Sequence, residues 1–232
     1  GAKVTCIKGA HDNQGDEYGR GNNAIRCVYL QDGSSVEGFT LSEGTTTATD
    51  YETDNGIGGG VLAVKWGAQT VNPIVRNCII TGCVGGRGGA VYGGDCVNCQ
   101  IVGNEAIANA TVRNANVYGC YFAGNRSEKG VLMYFYNALH CSFGAGNVTH
   151  SGDPSPSIYH VDSSESMVAN CLFLTPGSFD AEHKAAVINC YHRDDFAISN
   201  ARVERGNVAC MAEELLVYDN GAPIIGSNLA VD

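Results

Sequence analysis

The side chains best able to do chemistry are the 11 cysteines, and four of them crowd together as Cys78, Cys83, Cys96 and Cys99. Cys96-Val-Asn-Cys99 is a CxxC, and two such pairs brought together hold zinc through four thiolates. The competing reading is packing, because a buried thiol behaves as a small apolar side chain. Thioredoxin-like redox chemistry needs a helix start to lower the pKa of the first thiol, and no helix start follows Cys96. His11, His140, His150, His160, His183 and His192 show no HxxxH metal spacing. Arg193-Asp194-Asp195 brings a base beside two acids. Glycoside hydrolysis needs two carboxylates ~5–9.5 Å apart. Neighbours on a strand point to opposite faces, so this pair is poor machinery.

The elements that position these residues are repeats. Cys78, Cys99, Cys120 and Cys141 stand at equal intervals of 21, and Cys171, Cys190 and Cys210 follow at 30, 19 and 20. Two residues after the cysteines stand Ile80, Ile101, Phe122, Phe143 and Phe173. Three before stand Val75, Cys96, Val117, Ala138, Val168 and Val187, and five after stand Cys83, Asn104 and Asn125. Val36-Glu-Gly-Phe39-Thr-Leu41 fits the same template with Phe39 in the cysteine slot, and Cys6 is placed in that slot one unit earlier. A cysteine and the residue two later share one side of a strand. A unit this short buries its apolar side only by stacking on copies of itself. The pattern predicts an all-β chain, a right-handed parallel β-helix (a solenoid of about 21-residue coils) forming a single domain over residues 1–232. Residues 195–232 are expected to be irregular last coils and a cap, with Met211–Val217 closing the stack. Cys96 and Cys99 both fall on inward positions of this ladder, so the CxxC is expected to pack rather than bind, with no metal and no resident cofactor. Asn104 and Asn125 are expected to form a row at a turn, where Asn accepts a left-handed backbone and bonds neighbouring amides.

Gly88-Gly-Ala-Val91 and Phe122-Ala-Gly-Asn125 resemble the GGA[ILV] and FxxN repeats of polymorphic outer-membrane-type surface proteins. Gly58-Gly-Gly-Val61, Ile101-Val-Gly-Asn104 and Phe143-Gly-Ala-Gly146 are looser copies. The stretch from Arg26-Cys-Val-Tyr-Leu30 to Gly38-Phe-Thr-Leu41 is similar to adhesin-like β-helix proteins of bacterial surfaces. The resemblance covers roughly residues 20–175. It implies a secreted or cell-surface bacterial protein, part of a larger surface protein, with no signal peptide in the sequence at hand. Its motifs are structural and carry no catalytic residues. The NTD, paired-Asp and GHG signatures of polygalacturonase-like enzymes do not occur together. The reading is therefore a binding or adhesion module for polysaccharide or for a host or cell-surface protein. The alternative is a pectate-lyase-like lyase or a glycoside hydrolase. The sequons at Asn109, Asn125 and Asn147 matter only in a glycosylating secretory pathway.

Function is expected in the departures from the repeat, because insertions between units form side loops. Surplus residues fall at 10–22, 44–56 and 146–165, at one phase of the unit. They carry Asp12, Asp16, Glu17, Asp50, Glu52, Asp54, Asp153, Asp162 and Glu165 against a single base, Arg20. Asp50, Tyr51, Asp54, Asp153, Tyr159 and His160 are the candidate binding residues. The aromatic rings would stack on a ligand, and the acids would accept hydrogen bonds or bind calcium weakly. The formal charge of −10, with 14 scattered Lys and Arg, argues against nucleic acid, which needs clustered cations. The longest apolar run, Val131–Tyr136, is far short of the ~20 residues of a membrane-spanning helix.

Overall fold

The computed structural model describes residues 1–47, 51, 53–64, 71–129, 131–149, 159–161, 166–174, 177–180, 185–193, 196–201, 203–205, 208–210, 218–219 and 222–223. These residues are all-β, with no helix among them. Short strands pair in parallel into three sheets, and one antiparallel pair, Tyr218–Asp219 with Ala222–Pro223, stands apart. The first sheet takes one strand from each repeat. Cys6–Lys8, Thr40–Ser42, Ile79–Thr81, Gln100–Val102, Tyr121–Ala123, Ser142–Phe143, Leu172–Phe173, Tyr191–Arg193 and Val208–Cys210 lie side by side in chain order. The third sheet is small: Val84–Arg87, Glu105–Asn109, Arg126–Ser127 and Val148–Thr149. The second holds two strands from most repeats. These fuse in Val112–Tyr118 and Met133–Leu139, and in the former left-handed Asn114 (φ 54°) bends the chain.

The register is the repeat. Ile80 lies opposite Ile101, Ile101 opposite Phe122, and Phe122 opposite Phe143. Each side chain therefore stacks on its counterpart about 4.8 Å away. Leu41, Ile80, Ile101, Phe122, Phe143 and Phe173 are all fully buried, while the residues beside Leu41, Ile80, Ile101 and Phe122 on their strands are at least partly exposed. Phe143 stacks between Phe122 (4.9 Å) and Phe173 (4.8 Å), with planes within 9° and 3°.

Cys78, Cys99, Cys120, Cys141, Cys171 and Cys190 form a second buried column. Every Sγ lies near the same two carbonyls, that of the residue two before it and that of the preceding strand. Cys99, for instance, is 3.4 Å from the oxygens of both Val97 and Val75. The residue just before each of these cysteines is left-handed: Asn77, Asn98, Gly119, His140, Asn170 and Asn189, with φ between 51° and 61°. This is the corner that turns the chain from the second sheet into the first. Asn and Gly recur there because they enter that region at the lowest cost.

A third column is polar. The Asn104, Asn125 and Asn147 amides are buried. Each side-chain oxygen accepts the backbone N–H of the repeat before: Cys83 from Asn104 (3.0 Å), Asn104 from Asn125 (3.1 Å), Asn125 from Asn147 (3.1 Å). Each side-chain nitrogen donates to a core-strand carbonyl, Ile80, Ile101 or Phe122. These asparagines are not themselves left-handed. The preceding Gly103 and Gly124 are (φ 66° and 61°), so the expected strain sits one residue earlier. Burial of Asn125 and Asn147 also removes both sequons from the surface.

Two register expectations are corrected. Cys6 pairs with Thr40, so Thr5 rather than Cys6 stands opposite Phe39. A one-residue slip exchanges faces: Ile7 lies opposite Leu41, and Cys6 is exposed. Cys210 pairs with Arg193 and is not the successor of Cys190 in the column. The proposed cap at Met211–Val217 lies outside the described residues.

The insertions divide as follows. In a plain repeat the step from the first sheet to the second runs from Ile80 to Val91, an interval of 11. The same step takes 21 from Ile7 to Val28 and 20 from Leu41 to Val61. The surpluses at 10–22 and 44–56 therefore share one side. The third splits: five extra residues precede Tyr159, which leaves 16 from Phe143, and four follow it, giving nine to Val168 against five in a plain repeat. A fourth insertion, unread in the sequence, sets Val61 and Val75 at an interval of 14 where Val91 and Cys96 are five apart. No helix among the described residues is long and apolar enough to cross a membrane.

Candidate binding face

The two in-phase insertions leave the third-sheet corner, and the first is stiffened from within. In the first, Asp12 accepts the backbone N–H groups of Gln14 (2.9 Å) and Asn23 (3.0 Å) and so ties both ends of the loop. These two amides, Asn23 first, hold the Asp12 carboxyl below the ordinary carboxylate range. Asp16 accepts the Arg20 backbone N–H (2.9 Å) and Nε (2.8 Å) and the Tyr18 N–H (3.0 Å), and it ion-pairs with Arg20 at 2.7 Å. Burial alone would raise Asp16, but the Arg20 amide and guanidinium outweigh it and hold the carboxyl low. The buried Arg20 guanidinium lies 5.6 Å from the Tyr18 ring centroid. These acids are thus engaged in shaping the loop.

The second insertion is clamped from outside it. Arg26 donates Nε to the Gly58 carbonyl (2.9 Å) and Nη2 to those of Ile57 (2.9 Å) and Asp54. Burial pushes the Arg26 guanidinium down, and the Asp54 carboxylate partly offsets this. Tyr51 is half-buried and lies against Gly86, where an added Cβ would meet its ring at 2.8 Å. The Arg87 guanidinium sits 5.9 Å from the Tyr51 ring centroid.

On the third sheet, beside these loops, Glu105 lies opposite Arg126. Arg126 ion-pairs with Glu105 at 3.6 Å and with Glu128. The Tyr18 hydroxyl is pushed up, first by burial and then by the charges of Glu17, Glu128 and Glu105. Those charges place the tip of the first loop within electrostatic reach of the third-sheet row. The face therefore offers two aromatic rings, Tyr18 and Tyr51, beside a mixed-charge row. It can stack on a ring and exchange hydrogen bonds with hydroxyls.

Of the residues expected here, Tyr51 and Asp54 belong to the face, Asp54 exposed and anchored through its carbonyl. Tyr159 does not. It is fully buried in the strand Tyr159–Val161, 4.7 Å from the ring centroid of Phe143 and 5.4 Å from that of Phe173. The residue belongs to the inward Val91–Val112–Met133 column and presents no surface for stacking. His160 is also buried, at 8% exposure, and stacks on Tyr134 (4.7 Å), whose other neighbour is the Arg113 guanidinium (4.6 Å). That row lies on the outer side of the second sheet, apart from the two loops. Asp50, Asp153, His150, Asp194 and Asp195 lie outside the described residues. Tyr18, Arg26, Arg87, Glu105, Arg126 and Glu128 are missed by reasoning from the sequence. Glu105 and Arg126 carry a signal, since each follows a column asparagine. The others carry none, because they meet through loop paths that no period encodes. No group of three or more His, Cys, Asp or Glu among the described residues is arranged to hold a metal ion. Compared with protein-family models, curated proteins and solved structures, the chain has no significant match.

Proposed function

We propose that the chain is a right-handed parallel β-helix of about 21-residue coils that serves as a binding module of a secreted or cell-surface, adhesin-like protein. Its ligand is an extended polysaccharide or a protein surface, taken up on the flank that carries residues 10–22 and 44–56. The observation behind this reading is that two in-phase insertions, one held by Asp16–Arg20 and the other by Arg26, carry the half-buried rings of Tyr18 and Tyr51, with Tyr51 against Gly86 and Arg87 of the third sheet, the sheet on which Arg126 pairs with Glu105. Rigid loops are suited to binding because little conformational entropy remains to be lost. The surface location rests on the likeness of the repeats to those of outer-membrane-type surface proteins.

Titration of the purified protein against a polysaccharide panel tests this. A ligand should be found whose affinity falls at least ~10-fold, ~1.4 kcal/mol, in the Tyr18→Ala, Tyr51→Ala double variant. Unchanged affinity in that variant would move the site elsewhere. A second reading, glycoside or lyase chemistry, draws on the two carboxylates that share Arg126. Both being held on one cation suits charge balance more than proton delivery. Release of reducing or unsaturated ends in the same panel, abolished by Glu105→Gln, would favour the enzyme.

A further inference from the structure

Cys27 departs from the pattern of the column thiols. Gly44 is the register counterpart of Cys83, since Ser42 pairs with Thr81 and Thr45 with Val84. A Cβ added to Gly44 would lie 2.7 Å from Cys27 Sγ. The Cys27 sulfur therefore fills the side-chain space that Gly44 leaves open, directly beside Cys83. Both sulfurs reach one short piece of strand: Cys27 Sγ is 3.2 Å from the Ser42 oxygen and Cys83 Sγ 3.8 Å from the Leu41 oxygen. Cys83 is fully buried, whereas Cys27 is half-buried at the edge of the core.

We propose that Cys27 and Cys83 form a reversible disulfide, a redox latch that fixes the base of the 44–56 loop. Column neighbours such as Cys78 and Cys99 are poorly placed for this. They stand side by side on paired strands at the ~4.8 Å spacing, beyond the ~3.5–4.5 Å between Cβ atoms that a disulfide needs. Cys27 approaches from a different segment and is not bound by that spacing. The Cys83 thiol, as donor, holds Cys27 below the ordinary thiol range, followed by the Gly9 and Gly44 amides, while Cys83 itself is raised. Cys27 is then the attacking thiolate. With hydrogen peroxide as oxidant, its sulfur takes one oxygen as a sulfenic acid and one water leaves. The Cys83 sulfur then attacks that sulfur, the S–S bond forms and a second water leaves. Two thiols and one peroxide thus give one disulfide and two waters. A dithiol reductant reverses the bond by becoming a disulfide itself. Because Arg26 adjoins Cys27 and clamps Asp54, Ile57 and Gly58, the latch ties the second loop to the third repeat. This inference does not depend on the identity of any ligand.

The test is to treat the folded protein with hydrogen peroxide, alkylate it in denaturant and map the thiols by mass spectrometry. The expected result is a Cys27–Cys83 cross-linked peptide lacking two hydrogens, with the column cysteines alkylated. The thermal midpoint should rise by roughly 5–15 °C and return after dithiothreitol. Cys27→Ser, which keeps the size of the half-buried side chain, should abolish the cross-link and the shift. Cys27 recovered as a free thiol, as a sulfinic acid without Cys83, or joined to Cys6 would overturn the proposal.

Discussion

Replacing Asn125 by Ala isolates what the buried amide column contributes. Its Oδ1 accepts both the backbone N–H (3.1 Å) and the side-chain N–H (3.1 Å) of Asn104. Removing that oxygen leaves two buried donors without an acceptor, and Asn104 is 1% exposed, so water does not replace it. Each orphaned group costs about 1–3 kcal/mol, which makes the loss about 2–6 kcal/mol. Asn147 Oδ1 keeps its bond from the Asn125 backbone N–H but loses that from Asn125 Nδ2, and the Ile101 carbonyl loses the same donor (2.8 Å). In a chain of this size each kcal/mol moves the midpoint by about 2–4 °C, so a fall of roughly 8–16 °C is expected for a mid-range loss. Thermal unfolding followed by circular dichroism reads it, with Gln100→Ala, exposed on the next strand, as a control within about 0.5 kcal/mol of the parent. Hydrogen exchange should show lost protection at the Asn104 amide. A midpoint within about 2 °C of the parent, with that amide still protected, would refute the column as a source of stability.

Phe143→Ala should cost about 3–5 kcal/mol, because it empties a site between the Phe122, Phe173 and Tyr159 rings; a denaturant midpoint equal to the parent's would contradict this packing. Asp16 predicts an acid-sensitive loop. Its folded pKa lies below the unfolded value, so its contribution is present above pH ~3.9 and is lost as pH falls through the folded pKa. Asp16→Asn should therefore lower stability near neutral pH by about 1 kcal/mol and flatten the acid limb; an acid limb identical in parent and variant would count against the assignment.

Much of the architecture is legible in the sequence because stacking imposes a period. Strands paired in parallel at one spacing must recur at one interval, and the interval of 21 between Cys78, Cys99, Cys120 and Cys141 is also the strand register. Period-2 alternation on those short strands separates Ile80, Ile101 and Phe122 from their outward neighbours. The in-phase surpluses at 10–22 and 44–56 follow from counting against the same interval. Counting fails where the interval itself changes. The slip that puts Thr5 opposite Phe39, the shift that separates Cys210 from Cys190, and the division of the third insertion around Tyr159 are set by hydrogen-bond pairing. Tyr159 reads as a loop residue in an acidic insertion, yet it is a core ring, because a strand had to continue the second sheet through that segment. The site is less legible still. That Arg26 holds the sequence-distant loop around Gly58, that Tyr51 lies against Gly86, and that Cys27 fills the space over Gly44 are contacts between segments of unrelated phase. Periodicity in a chain reports which residues share a column; which loop folds onto which column is decided only when the packed structure brings them into contact.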